Sequence, residues 1–156
     1  MSELSRGQTH TLIVALRASV VPDVVAAMMQ RDFNALAAWL NANSTTQAWM
    51  DGVTKREMFE AMNISTYDSV SAGKKESWQL MLSMTPIDMT RGGMRKGVLD
   101  IFATADANAM LAAFTEKASR AEEIIGGSSP TTGTVTALKR DWIGDVLATD
   151  LRAGMK

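Results

Sequence analysis

The stretch Ser71 to Phe102, SAGKKESWQLMLSMTPIDMTRGGMRKGVLDIF, restricts the fold of this chain more than any other. Trp78, Met81, Leu82 and Thr85 recur at i, i+3, i+4 and i+7, and Met94, Val98, Ile101 and Phe102 likewise line one helix face. Proline has no amide hydrogen and its ring clashes with the preceding turn, so Thr85-Pro86 ends the first helix. The link that follows carries the pair Gly92-Gly93. Two amphipathic helices so close in sequence must bury their apolar faces, which predicts a helical hairpin at the core of a mainly α fold.

The flanking segments extend the same pattern. Thr11 to Ala18 predicts a short helix or an extended lead-in. Pro22 suits the first turn of a helix, Asp23 beside it favours the positive end of the dipole, and Val24, Val25, Met28 and Met29 form its stripe. Asp32 can cap a helix with Phe33, Leu36, Ala37 and Leu40 facing inward and Trp39 near the edge. Ser44-Thr45-Thr46-Gln47 has capping-box form and predicts a short helix at Ala48 to Met50, stopped by Gly52. Thr54-Lys55-Arg56-Glu57 is a clearer box, with Met58, Phe59 and Met62 as the apolar side of its helix. Ser65 to Val70 is a turn or a single helical turn. Thr104 is expected to cap a helix over Ala105 to Ala118, with Ala107, Met110, Leu111 and Phe114 inward. Ser119-Arg120-Ala121-Glu122 starts another, which Gly126-Gly127 ends.

Past that point the composition shifts. Gly126 to Gly133, GGSSPTTG, reads as a flexible linker. Thr134 to Leu138 and Trp142 to Leu147 are β-like, and Lys139 to Asp141 either turns a hairpin or lies within one bulged strand. Thr149 can cap a last turn over Asp150 to Gly154. Two strands cannot form a sheet with its own core, so they must lie on the helices or on another subunit. Val135, Leu138, Trp142 and Ile143 are therefore the candidate protein-interaction residues, by strand addition or by folding back. The expected architecture is a compact multi-helix domain with a short C-terminal β arm or hairpin. Its parts are a helical domain over 1–126, a linker over 127–133 and an arm over 134–156.

A chain of 156 residues suits one domain. It buries roughly 68–70% of its unfolded surface, enough for a core without disulfides or metal. The absence of cysteine removes thiol catalysis, thiolate zinc sites and Fe–S clusters. His10, the only histidine, lies in a polar N-terminal region and reads as a surface residue. Asp100, Asp106, Glu116, Glu122 and Glu123 lack metal-ligand spacing. Several of the 12 methionines, Met28, Met81, Met94 and Met110, sit at core spacing, which favours gap filler over an adaptable contact surface. The expectation is a non-enzyme with no cofactor and no metal. No apolar stretch approaches the roughly 20 residues that span a bilayer, and MSELSRGQTH lacks a signal peptide's apolar run, so a soluble chain is expected.

A net charge of −1 provides no global field for nucleic acid. RGGMRKG, Arg91 to Gly97, has glycines before a helix and could hold an anion on backbone amides, but it is neither a Walker A nor a GxGxxG pattern. A nucleic-acid surface built from Arg91, Arg95, Lys96, Lys139 and Arg140 is the alternative from another class.

SAGKKESWQLML, RKGVLDIF, EKASRAEEIIGG and GTVTALKRDWIG resemble a group of small proteins encoded among the virion genes of tailed bacteriophages. The resemblance runs from VVPDVVAAM and LAAWLNANST to the terminal TDL, and its motifs are structural signatures. It implies a virion structural protein of the neck or tail, made in the cytoplasm of a bacterial host. Its implied partners are itself, in a ring-like homo-oligomer, and other virion proteins. A tail assembly chaperone, absent from finished particles, is the close variant.

Overall fold

A computed structural model describes residues 3–156. The chain is mainly α. In order, the first elements are α1 Arg6–Ala18, α2 Pro22–Gln30, α3 Phe33–Asn41, β1 Asn43–Trp49, α4 Lys55–Ala61, α5 Ile64–Tyr67, α6 Ala72–Ser83 and α7 Gly92–Ile101. There follow α8 Thr104–Ala113, β2 Thr115–Ser119, α9 Arg120–Ile125, β3 Gly127–Ser128, β4 Thr131–Thr132, β5 Val135–Thr136, β6 Lys139–Arg140 and α10 Ala148–Gly154. Strands pair as β1 with β2, β3 with β6, and β4 with β5. Among the described residues no single helix is long and apolar enough to cross a membrane.

The chain forms two units, each with its own core. The first comprises the segments up to Thr46, Lys117–Ser128 and Arg140–Lys156; the second comprises Gln47–Glu116 and Ser129–Lys139. The first core gathers Leu12, Ile13 and Leu16 of α1, Leu36 and Leu40 of α3, Ala121 of α9, and Trp142, Val146 and Leu151. The second is built on the expected hairpin: Trp78, Met81 and Leu82 of α6 meet Val98, Ile101 and Phe102, joined by Met110, Leu111 and Phe114. Trp78 and Phe102 pack edge to face with ring centroids 4.9 Å apart. Burying each such side chain contributes about 1.5–3 kcal/mol.

The capping signals mark the helix starts well. Asp32 accepts from the Ala35 amide, and Thr54 with Glu57 and Ser119 with Glu122 form reciprocal boxes. Two expected helices are corrected. Ala48 to Met50 is not helical, because Ser44 Oγ bonds the nearer Thr46 amide and the β-branched pair Thr45-Thr46 runs on as β1. The Trp49 and Met50 amides then donate to the carbonyls of Leu138 and Phe114. The helix expected over Ala105 to Ala118 stops at Ala113, and Ala103 rather than Thr104 holds its N-cap position. Residues 115–119 form β2, since Ser119 must be extended (φ −72°, ψ 163°) to cap α9.

The C-terminal third departs most from expectation. Residues 127–133 include β3 and β4 rather than only a linker, and β4–β5 is a tight antiparallel hairpin with Thr132 opposite Val135. Gly133 turns it at φ +60°. Trp142 to Leu147 forms no strand. At Val146 a side chain takes the place of a strand partner: Asn41 donates Nδ2–H to the Val146 carbonyl at 2.9 Å and accepts from the Val146 amide at 2.7 Å. The division into 1–126, 127–133 and 134–156 is thus not how the chain partitions. Residues 129–139 join the second unit and 140–156 the first, because their apolar side chains have separate cores to fill.

Candidate protein-contact face

Helix α2 is where side chains and environment disagree. Pro22 sets its first turn, Asp23 sits near the positive end of its dipole, and Arg31 closes it in the left-handed region at φ 53°. Val24 and Ala27 are buried in the first core, with Met28 half-buried beside them. At 3.6 residues per turn, Pro22, Val25, Ala26 and Met29 share the opposite side, and all are exposed. Met29 is 82% exposed and Val25 40%, with Val20 and Val21 also exposed just before the helix. The one charged residue within α2 is Asp23. Apart from the exposed Asp23 and Gln30 the helix is apolar; one side packs on its own core while the opposite side faces solvent.

The four arm residues point elsewhere. Leu138 and Trp142 are buried, and Val135 and Ile143 are half-buried. Val135 packs on the second core and Trp142 belongs to the first. Leu138 exchanges backbone bonds with β1, its amide donating to Gln47 and its carbonyl accepting from Trp49. They are therefore no outward strip: of the two routes left open by the sequence, the segment takes folding back on its own chain.

The five candidate nucleic-acid cations do not form one exposed set. Arg95 is buried, its Nη1 donating to the Met89 and Thr90 carbonyls and its Nε to Thr132 Oγ1, each at 2.8 Å. Its guanidinium lies 4.8 Å from the Trp49 ring centroid. Burial holds it below the ordinary arginine pKa, with the charge of Asp88 acting the other way. Arg140 bonds Glu122, Nη1 to Oε1 at 3.3 Å, with the two side chains only 3% and 7% exposed. Arg91, Lys96 and Lys139 are exposed, and Arg91 lies 3.8 Å from Asp88. The spacing of RGGMRKG suggested cations on a solvated face; nothing in it marks Arg95 as the member that turns inward. The glycines do open α7, without a side-chain cap, but the inward turn of Arg95 removes one cation that an anion there would need.

His10 is exposed and borders a depression of about 570 Å³ with Arg6, Thr9, Asp150 and Gly154. The Asp150 carboxylate there accepts from the Leu147 amide at the start of α10. Among the described residues no three His, Asp or Glu side chains are placed to hold a metal ion. No protein-family model matches the chain, and comparison with curated proteins and with solved structures returned no significant similarity.

Proposed function

We propose that this chain is a non-enzymatic structural protein of a tailed-phage particle, a neck or tail component made in the bacterial cytoplasm and incorporated into the virion. It works through repeated contacts with copies of itself in a ring-like assembly and with other virion proteins. The observation that carries this reading is the outer face of α2, an uncharged apolar surface of Val21, Pro22, Val25, Ala26 and Met29 that the chain's own core does not use. Exposed apolar surface of this kind is what protein–protein contacts bury. The motif resemblance supplies the setting. The variant reading, a tail assembly chaperone, uses the same face transiently.

Light scattering across a concentration series tests the proposal. The expected result is a discrete oligomer that Val25→Asp with Met29→Glu disperses while far-ultraviolet circular dichroism is preserved. A monomer at every concentration refutes self-assembly. Detection of the chain in purified particles separates the virion component from the chaperone.

A further inference from the structure

We infer that residues 129–136 form a strap that opens as a unit while the rest of the second unit stays folded, with the bond from Arg95 Nε to Thr132 Oγ1 as its latch. The strap carries the β4–β5 hairpin and has little apolar anchorage of its own. Pro130, Thr132 and Val135 are half-buried, with Val135 packed on the second core, and the other positions are exposed. The contrast begins at the next residue: Ala137 and Leu138 are buried, and Leu138 exchanges backbone bonds with Gln47 and Trp49. A segment with few buried apolar contacts opens at lower free energy than the core it lies on.

Polar links from three elements hold the strap down. Arg95 of α7 donates to Thr132 at 2.8 Å, Trp49 at the end of β1 donates Nε1–H to the Pro130 carbonyl at 3.3 Å, and Asn108 of α8 accepts from the Thr134 amide at 3.1 Å. Inside the strap, Thr131 and Thr132 pair with Thr136 and Val135, and the Thr131 and Thr136 hydroxyls bond each other, so it lifts as one hairpin. The Arg95 link is the shortest of the three, and its donor is charged, which makes it the strongest. Arg95 Nη1 stays committed to the Met89 and Thr90 carbonyls, so the guanidinium keeps its place when the strap leaves. Opening removes the acceptors that cover Arg95 Nε and Trp49 Nε1, whose groups stack with the guanidinium 4.8 Å from the ring centroid. Arginine and tryptophan are among the side chains most enriched at contact hot spots. The closed strap withholds this preformed pair from a partner, and the open strap presents it; the device is independent of the α2 face.

Hydrogen–deuterium exchange of the full chain, read by mass spectrometry, compares the strap with α6 and α8. Strap amides are expected to exchange roughly a hundred-fold or more faster than those of the buried helix turns. Thr132→Val keeps the side-chain shape and deletes the hydroxyl. It should speed strap exchange roughly ten-fold or more, because the lost bond has a charged donor, and leave α6 and α8 unchanged. Phenylglyoxal, which modifies guanidinium groups, reads the cover itself. Arg95 should be labelled far more slowly than the exposed Arg91 in the parent, and its labelling should rise with strap exchange in Thr132→Val. Variants are compared only where circular dichroism matches the parent; Asn108→Ala, which removes the acceptor for the Thr134 amide, gives a second comparison with the same expected pattern. Strap amides as slow as those of α6, or variants that speed strap and core equally, would show opening only on global unfolding and overturn the inference. Fast strap exchange with no rise in Arg95 labelling would overturn the strap as the cover of Arg95.

Discussion

Arg140→Met removes one partner of the ion pair inside the first unit. Glu122 accepts from the Ser119 amide at 2.8 Å and from Arg140 Nη1 at 3.3 and 3.5 Å, and its side chain is 7% exposed. Without the guanidinium, a buried carboxylate retains the Ser119 amide but loses its countercharge. Breaking a buried pair from one side costs about 3–5 kcal/mol, because desolvation of the surviving charge is no longer offset. For a chain of this size that corresponds to a fall in Tm of roughly 6–20 °C. Glu122→Gln alone should cost less, about 1–3 kcal/mol, since it removes the carboxylate charge facing Arg140 while the amide oxygen can still accept from Ser119. The double variant Glu122→Gln with Arg140→Met leaves neither charge and should recover about 2 kcal/mol or more of the summed losses. Urea denaturation followed by circular dichroism measures all three, with the slope checked for constancy because the chain has two cores. A cost below about 1 kcal/mol for Arg140→Met would match a solvated surface pair and refute the reasoning.

Two further outcomes follow from the second unit. Arg95→Lys keeps the charge but cannot reproduce the three bonds to Met89, Thr90 and Thr132, so it should lower stability by about 2–4 kcal/mol in urea denaturation. Gly133→Ala should cost about 1–3 kcal/mol by the same assay, because φ is +60° and an added Cβ would collide with Asn108 Oδ1, which accepts from the Thr134 amide.

The legible parts of the fold were those decided within a few residues of the chain. Thr54 with Glu57 and Ser119 with Glu122 specify their caps locally, and the α6–α7 hairpin is written in its own periodicity. What sequence reading missed depends on partners distant along the chain. Ser44 to Trp49 has the letters of a capping box and becomes a strand because Leu138, distant in sequence, meets its backbone at Gln47 and Trp49. Trp142 to Leu147 alternates like a strand and has none, because Asn41, far earlier, takes both backbone groups of Val146. Arg95 and Arg91 are indistinguishable by spacing, yet one is sealed inside and the other stays in solvent. An aromatic platform, Trp49, and the Thr132 hydroxyl decide which, and neither is near Arg95 in sequence.

The exposed apolar side of α2 was visible in the sequence only as a surplus. Val24, Val25, Met28 and Met29 form one apolar stripe, but the structure divides it: Val24 and Met28 turn to the core, Val25 and Met29 to solvent. A stripe that wide spans more of the helix than a single packed layer can cover, so its excess is what remains for a second layer. Helix α6 shows why exposure alone is a weaker sign. Its Leu80 and the C-cap Met84 are exposed too, but they share that side of the helix with Glu76, Gln79 and Ser83, an ordinary solvated mixture. On α2 the exposed positions from Val20 to Met29 other than Asp23 are all apolar, so hydration of this face costs free energy that a partner would recover.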